Sequence, residues 1–134
     1  MISSNPVCES GSMKIVRIES GADGKSRFVP EELTLIDKGH FGRFSSLQAA
    51  PGILFRETDA GYDSGWHTAP NPVYLIILAG SIEIAVGTGE TRNFGPGSVI
   101  HAVDISGEGH RTKSVGATGF RSILVNLSVG KDGP

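Results

Sequence analysis

Apolar runs in this chain are short because glycine and proline keep interrupting them. The 134 residues include 19 glycines and 7 prolines, spread along most of the length. Both residues break helices and mark turns. The spacing therefore argues against long helices and for many short strands joined by tight turns. The clearest strand is 82-IEIAV-86, where Ile82, Ile84 and Val86 alternate with Glu83 and Ala85. The turn 87-GTGE-90 then leads into 91-TRNF-94, which predicts a hairpin. Other strand candidates are 13-MKIVRI-18, 32-ELTLI-36, 53-ILFRET-58, 73-VYLIILAG-80, 98-SVIHAVD-104, 110-HRTKSV-115 and 120-FRSILVNLS-128. The run 73-VYLIILAG-80 is apolar on both faces, so neighbours are expected on each side. The segment 59-DAGYDSGW-66 reads as a loop. Helical signals are limited to one turn at 30-PEEL-33 and to 43-RFSSLQAA-50. The expected class is all-β, a sandwich or barrel.

The length suits one domain with a real core, taken as residues 13–134. The polar lead 1-MISSNPVCESGS-12 reads as a flexible segment, with Gly11–Ser12 resembling a cloning remnant. Formal net charge is −2. Arg111, Lys113 and Arg121 do not form a basic stripe, so no nucleic-acid partner is expected. No apolar run approaches the roughly 20 residues of a spanning helix, and nothing resembles a signal peptide. No membrane partner is expected. The single cysteine, Cys8, cannot form an internal disulfide, and a cytoplasmic setting is the default.

The residues that could carry chemistry lie in 55-FRET-58, 61-GYDSGWHTAP-70, the Gly95-Pro96-Gly97 turn and 104-DISGEGHRT-112. From about Ile53 to Leu127 this pattern resembles the small single-domain bacterial cupins. The resemblance implies a double-stranded β-helix, the jelly-roll barrel, with ligand chemistry on its inward face. The family pattern runs H-x-H, Glu, Gly, then a P-x-G turn and a later His. His67 falls on the first histidine, His110 on the last, Gly80 on the glycine and Pro96-Gly97 on the turn. Ala69 and Val73 stand where the second histidine and the glutamate would be, and neither can ligate a metal. Two imidazoles are too few for a stable transition-metal site.

The resemblance thus implies a cavity lined by His67, Ala69, Val73, Leu75 and Ile77. Glu57, taken to share an inward face with Ile53 and Phe55, would complete a catalytic set with His67 and His110. Phe55, Trp66, Val73, Leu75, Ile77 and His101 are the expected ligand-binding residues. The mixture suits a small, partly hydrophobic organic molecule. Two histidines and a carboxylate can perform metal-independent acid–base chemistry of the isomerase, lyase or cyclase type. No G-x-S-x-G elbow suggests a serine nucleophile. Two alternatives stay open. One is a metal-dependent oxygenase or isomerase with a divalent transition metal on His67, His110 and either Glu57 or His101. The other is a non-catalytic binding or sensing module.

Structural roles are expected for other residues. Asp104 would accept backbone N–H groups and so set the turn before His110. His40 is structural, Arg56 and Glu57 pair across strands, Trp66 packs at the barrel mouth and Tyr74 lies on the face opposite Val73. By family analogy the chain forms a homodimer, with 13-MKIVRI-18 as an edge strand available for pairing.

Overall fold

The structure is a computed structural model describing residues 2–3 and 11–128. Of the lead, residue 1 and residues 4–10, Cys8 among them, lie outside the described residues. The elements, in chain order, are β1 (Ile2–Ser3), β2 (Ser12–Ser20), β3 (Ser26–Thr34), β4 (Ile36–Asp37), a 3-10 turn (Gly39–Phe41), β5 (Arg43–Phe44), β6 (Gly52–Glu57), β7 (Asp63–His67), β8 (Val73–Ala79), β9 (Ile82–Val86), β10 (Thr91–Phe94), β11 (Val99–Ala102), β12 (His110–Ser114) and β13 (Arg121–Asn126). The fold is all-β, with no α-helix among the described residues.

The strands form two principal sheets. One has the order β1-β10-β9-β12-β7 and the other β3-β2-β11-β8-β13-β6, while β4 and β5 make a separate two-stranded ribbon. The main sheets face each other, and no ladder among the described residues closes them into one barrel. Their inward side chains interlock in a common core. Ile82, Ile84, Val86 and Phe94 come from the five-stranded sheet and Ile18, Phe28, Leu75, Ile77 and Ile100 from the six-stranded one. The period of two explains which residues enter: Ile82, Ile84 and Val86 are buried, as their alternation requires.

Several local expectations change. Pro30–Leu33 lies within β3 rather than in a helical turn, and Arg43–Phe44 is a strand rather than part of a helix. Residues 63–66, expected within a loop, belong with His67 to β7, which pairs with β12. Gly11 and Ser12 belong to the first hairpin: Ser12 pairs with Thr34, and the Leu35 N–H donates to the Gly11 carbonyl at 2.8 Å. Ile2–Ser3 pairs in parallel with β10. The 13–18 run is not an edge, because β2 sits between β3 and β11.

The outer face of the six-stranded sheet carries an apolar patch over β6, β13 and β8. Cross-strand partners run Phe55–Ile123–Ile76–Val99 in one row and Ile53–Val125–Tyr74 in the next. Phe55 is 74% exposed, and Ile53 and Leu78 are also exposed. The segment from Ile36 to Pro51 is exposed throughout and carries Phe41, Phe44 and Leu47.

Candidate active site

Three backbone features bring the site together. Strands β7 and β12 pair antiparallel with His67 directly opposite His110, which places the two rings side by side with centroids 4.7 Å apart. The turn 105–109 returns the chain from Asp104 to His110. Gly109 in it has φ +78° and passes so close to the His67 carbonyl that a Cβ could not fit. The first hairpin supports that turn from behind: the Glu108 N–H donates to the Gly24 carbonyl at 2.8 Å, and the Ser20 hydroxyl donates to the Ser106 carbonyl at 2.8 Å.

Asp104 lies at the back of the site and is 0% exposed. Its Oδ2 accepts from the Ser26 hydroxyl at 2.7 Å and pairs with His110 Nδ1 at 2.7 Å. A carboxylate can only accept here, so Nδ1 carries the proton and Nε2 is the nitrogen open to a ligand. His110 is itself buried, at 7% exposure. His67 Nδ1 lies 3.1 Å from the Gly65 carbonyl. A carbonyl also only accepts, so His67 adopts the same tautomer with Nε2 free.

Both histidines line a cavity of about 80 Å³ between the sheets. Its wall is mostly apolar: Ile18, Ala69, Val73, Leu75, Ile84, Ile100, Ala102 and Leu124, with Pro70. Polar groups enter from Arg56, Tyr62 and Thr112. The space is several times what one water needs, yet small beside drug-sized pockets.

The expected site residues separate into two groups. His67, His110, Val73 and Leu75 meet at the cavity. Ile77 is buried in the core but does not line it. Phe55 and Glu57 are on the outer face: Glu57 is exposed and pairs with Arg121 at 2.7 Å. Three consecutive apolar residues, Ile53-Leu54-Phe55, give no phase, and the inward residue of the strand is Arg56. Glu57 is therefore not part of the catalytic group; it pairs across strands with Arg121, as expected, while Arg56 reaches across to the Ser122 hydroxyl. Trp66 is half exposed and does not line the cavity, and its strand partner is Arg111. His101 also faces away, 2.8 Å from Glu31 and stacked on Tyr74 at 4.6 Å. Tyr74 lies opposite Val73, as expected. Asp104 sets His110 by bonding its ring directly, rather than by accepting backbone N–H groups.

Neither expected three-ligand metal set assembles, because Glu57 and His101 are both outside the cavity. Ala69 and Val73 present only carbon to it, and His110 Nδ1 is committed to Asp104. Among the described residues no three His, Cys, Asp or Glu side chains cluster in a way that could hold a metal. The donor set does not fit a transition metal.

Ser26, Arg56, Tyr62 and Thr112 were not foreseen as site residues. The one signal for the buried network was Asp104 six residues before His110 across a Gly-x-Gly turn.

No family model and no curated protein matches the chain. Among solved structures it is similar to a conserved protein of unknown function from Streptococcus pyogenes, SPY1581. That likeness is 24% identical over 63% of this chain and 69% of the other, with a TM-score of 0.48. It is also similar to protein NMB1881 from Neisseria meningitidis, 24% identical over 60% of this chain and 78% of the other, with a TM-score of 0.43.

Two predictions follow from the geometry around the histidines. Asp104→Asn puts an amide where His110 and Ser26 both donate, leaving buried donors mismatched. It should cost about 1–3 kcal/mol and move the His110 proton from Nδ1 to Nε2. Imidazole ¹⁵N NMR reads the tautomer, and an unchanged proton position would show that Asp104 does not set it. The second concerns Asp63, which ties edge strand β7 to β12 through Arg111, Nε–Oδ1 at 2.9 Å. The Arg111 guanidinium, then the Gly65 N–H, hold its carboxyl well below the usual carboxylate range. A depressed folded pKa gives stability that is complete above the unfolded value, about pH 4, and is lost as pH falls toward the folded value. The advantage of wild type over Asp63→Asn in urea denaturation should be present at pH 6 and vanish in strong acid. Both side chains are partly exposed, so the effect should be modest.

Proposed function

We propose that the cavity binds a small, partly hydrophobic organic molecule and moves a proton on it by metal-independent acid–base chemistry. His110 Nε2 is the base, and His67 is the neighbouring imidazole, able to deliver a proton only after its own Nε2 has taken one up. The observation that carries this reading is the Ser26–Asp104–His110 chain. Burying a carboxyl group fully is costly, and one oxygen of Asp104, Oδ1, has no hydrogen-bond partner among the described residues. Apolar side chains would fill the same space at lower cost. The arrangement does fix a histidine tautomer and aim its free nitrogen at a cavity, as acid–base catalysis requires. Enolisation, isomerisation, dehydration or cyclisation fits these groups.

The proposed fold family is the single-domain cupin, a double-stranded β-helix. In its favour are two facing sheets, the placement of His67 and His110 on one cavity, and glycine turns at the expected positions. Gly80, between β8 and β9, has φ +74°, and Gly97, between β10 and β11, has φ +90°. The residues favour the metal-independent form over a metal-dependent oxygenase or isomerase. A cytoplasmic setting without nucleic-acid or membrane partners remains part of the proposal. No helix among the described residues is long and apolar enough to cross a membrane.

We also propose that two copies pair through the outer face of the six-stranded sheet. Monomeric proteins seldom leave a contiguous apolar patch of this kind uncovered, and such a sheet face is able to pack on a copy of itself. Sedimentation should give a dimer, and Phe55→Asp should give a folded monomer. A wild-type monomer at high micromolar concentration would overturn the pairing.

Catalysis is tested through solvent exchange, which needs no knowledge of the complete reaction. Small carbonyl compounds and unsaturated acids are incubated with protein in D₂O, and loss of carbon-bound protons is followed by ¹H NMR. Wild type should exchange at least one compound, and His110→Gln should lose about 100-fold or more of that rate. Saturable binding without exchange of any compound would make the chain a binding module instead.

A further inference from the structure

Arg56 places a full positive charge on a mostly apolar wall. It enters from β6, opposite Ser122 of β13, in the sheet facing the two histidines. Its Nε donates to the buried Ser122 hydroxyl at 3.3 Å. The guanidinium carbon lies 5.1 Å from the Phe120 ring centre and 5.8 Å from that of Tyr62. These contacts hold the side chain in place through its inner nitrogen and its faces. None of them neutralises it, and among the described residues no carboxylate forms an ion pair with Arg56. Nearby Glu57 is turned outward to Arg121, and Asp104 does not line the cavity.

A half-buried arginine with no carboxylate partner among the described residues is a poor structural choice, because its removal from water is offset only by one hydroxyl and two rings. Burial indeed lowers the pKa of Arg56. Rings stacked against it stabilise a cation only in part. The outer edge of the guanidinium, with its two Nη groups, is a planar fork that matches a carboxylate in two parallel hydrogen bonds. One cation on an apolar wall suits a monoanion. A phosphate dianion would leave one of its charges without a cation, since Arg56 is the one Lys or Arg lining the cavity, and the volume excludes nucleotides.

We infer that the ligand of this cavity is a short-chain organic carboxylate, its carboxylate on Arg56 and its carbon skeleton between the apolar wall and His110. This rests on the cavity being the ligand site, and it adds the substrate class. Arg56 is then the anchor, and Ser122, Phe120 and Tyr62 are positioning residues that keep its fork aimed into the cavity. With the carboxylate fixed on one sheet, the carbon atoms next to it lie toward the histidines of the other, where a proton could be taken.

The test is NMR titration of the full chain with straight-chain monocarboxylates from acetate to hexanoate, and with primary amides of the same lengths. The best-fitting acid should bind at least about 10-fold more tightly than its amide and should shift the His110 and Leu75 resonances. Arg56→Met should keep the amide affinity and lose the preference for acid. Since it removes a charge without a partner, it should also resist urea at least as well as wild type. Arg56→Lys keeps charge without the fork and should retain only part of the preference, which provides a second variant if the first folds poorly. Equal binding of acids and amides would overturn the inference. So would an acid preference that survives Arg56→Met, or the absence of saturable acid binding up to tens of millimolar. The outcome is separable from the catalytic reading. Arg56-dependent acid binding with no proton exchange would uphold this inference and defeat the acid–base proposal. Exchange on neutral compounds with no acid preference would do the reverse.

Discussion

One carboxylate oxygen organises the site. Oδ2 of Asp104 accepts from Ser26, near the start of the chain, and from His110, near its end, and it does so out of reach of solvent. Buried polar groups of this kind are costly when any member is unsatisfied. The network therefore fixes more than a ring orientation. It ties the first hairpin to the turn that carries His110, and through the β12–β7 pairing it sets the position of His67. Core packing brings the two sheets together, but this bond decides which nitrogen faces the cavity.

Much of the fold was legible in the sequence. The hairpin of β9 and β10 could be read from strict alternation followed by a glycine turn. The burial of Leu75 and Val73 on one side of β8, and the placement of Tyr74 on the other, followed from the period of two. Strand phase was lost where both faces are apolar. In Ile53-Leu54-Phe55 nothing in the local pattern says which side chain enters. A slip of one residue exchanged Arg56 for Glu57 and turned a cationic cavity wall into an anionic one. The same kind of error hid β7, because Asp63-Ser64-Gly65 has the composition of a turn. It becomes a strand only because β12 supplies a partner, with the Ser64 hydroxyl accepting the Thr112 N–H at 2.9 Å where the register shifts.

The candidate site was harder to read than the fold because its parts are distant in sequence. His67 and His110 could be placed together by resemblance to a family pattern. Ser26 could not, since a lone serine opening a strand has no distinguishing neighbour. Asp104 was visible, but the proximity of a glycine turn suggested backbone capping as its role. Only the three-dimensional arrangement shows that its acceptor goes to an imidazole. Arg56 offers the same lesson in reverse: its chemistry is defined by the carboxylate it lacks, and absence of a partner is not written in a linear sequence.

The Ser26–Asp104 bond joins residues 78 positions apart, and the parallel pairing of β2 with β11 spans a similar separation. Contacts that close loops of this size form late and slowly, because chain entropy must be overcome before they contribute anything. The central strands and the turn before His110 can assemble from nearer neighbours. The histidine's orientation has to wait for the first hairpin to dock. Refolding should therefore restore sheet structure before it restores the site, and the tautomer of His110 would mark the moment at which the chain finishes folding.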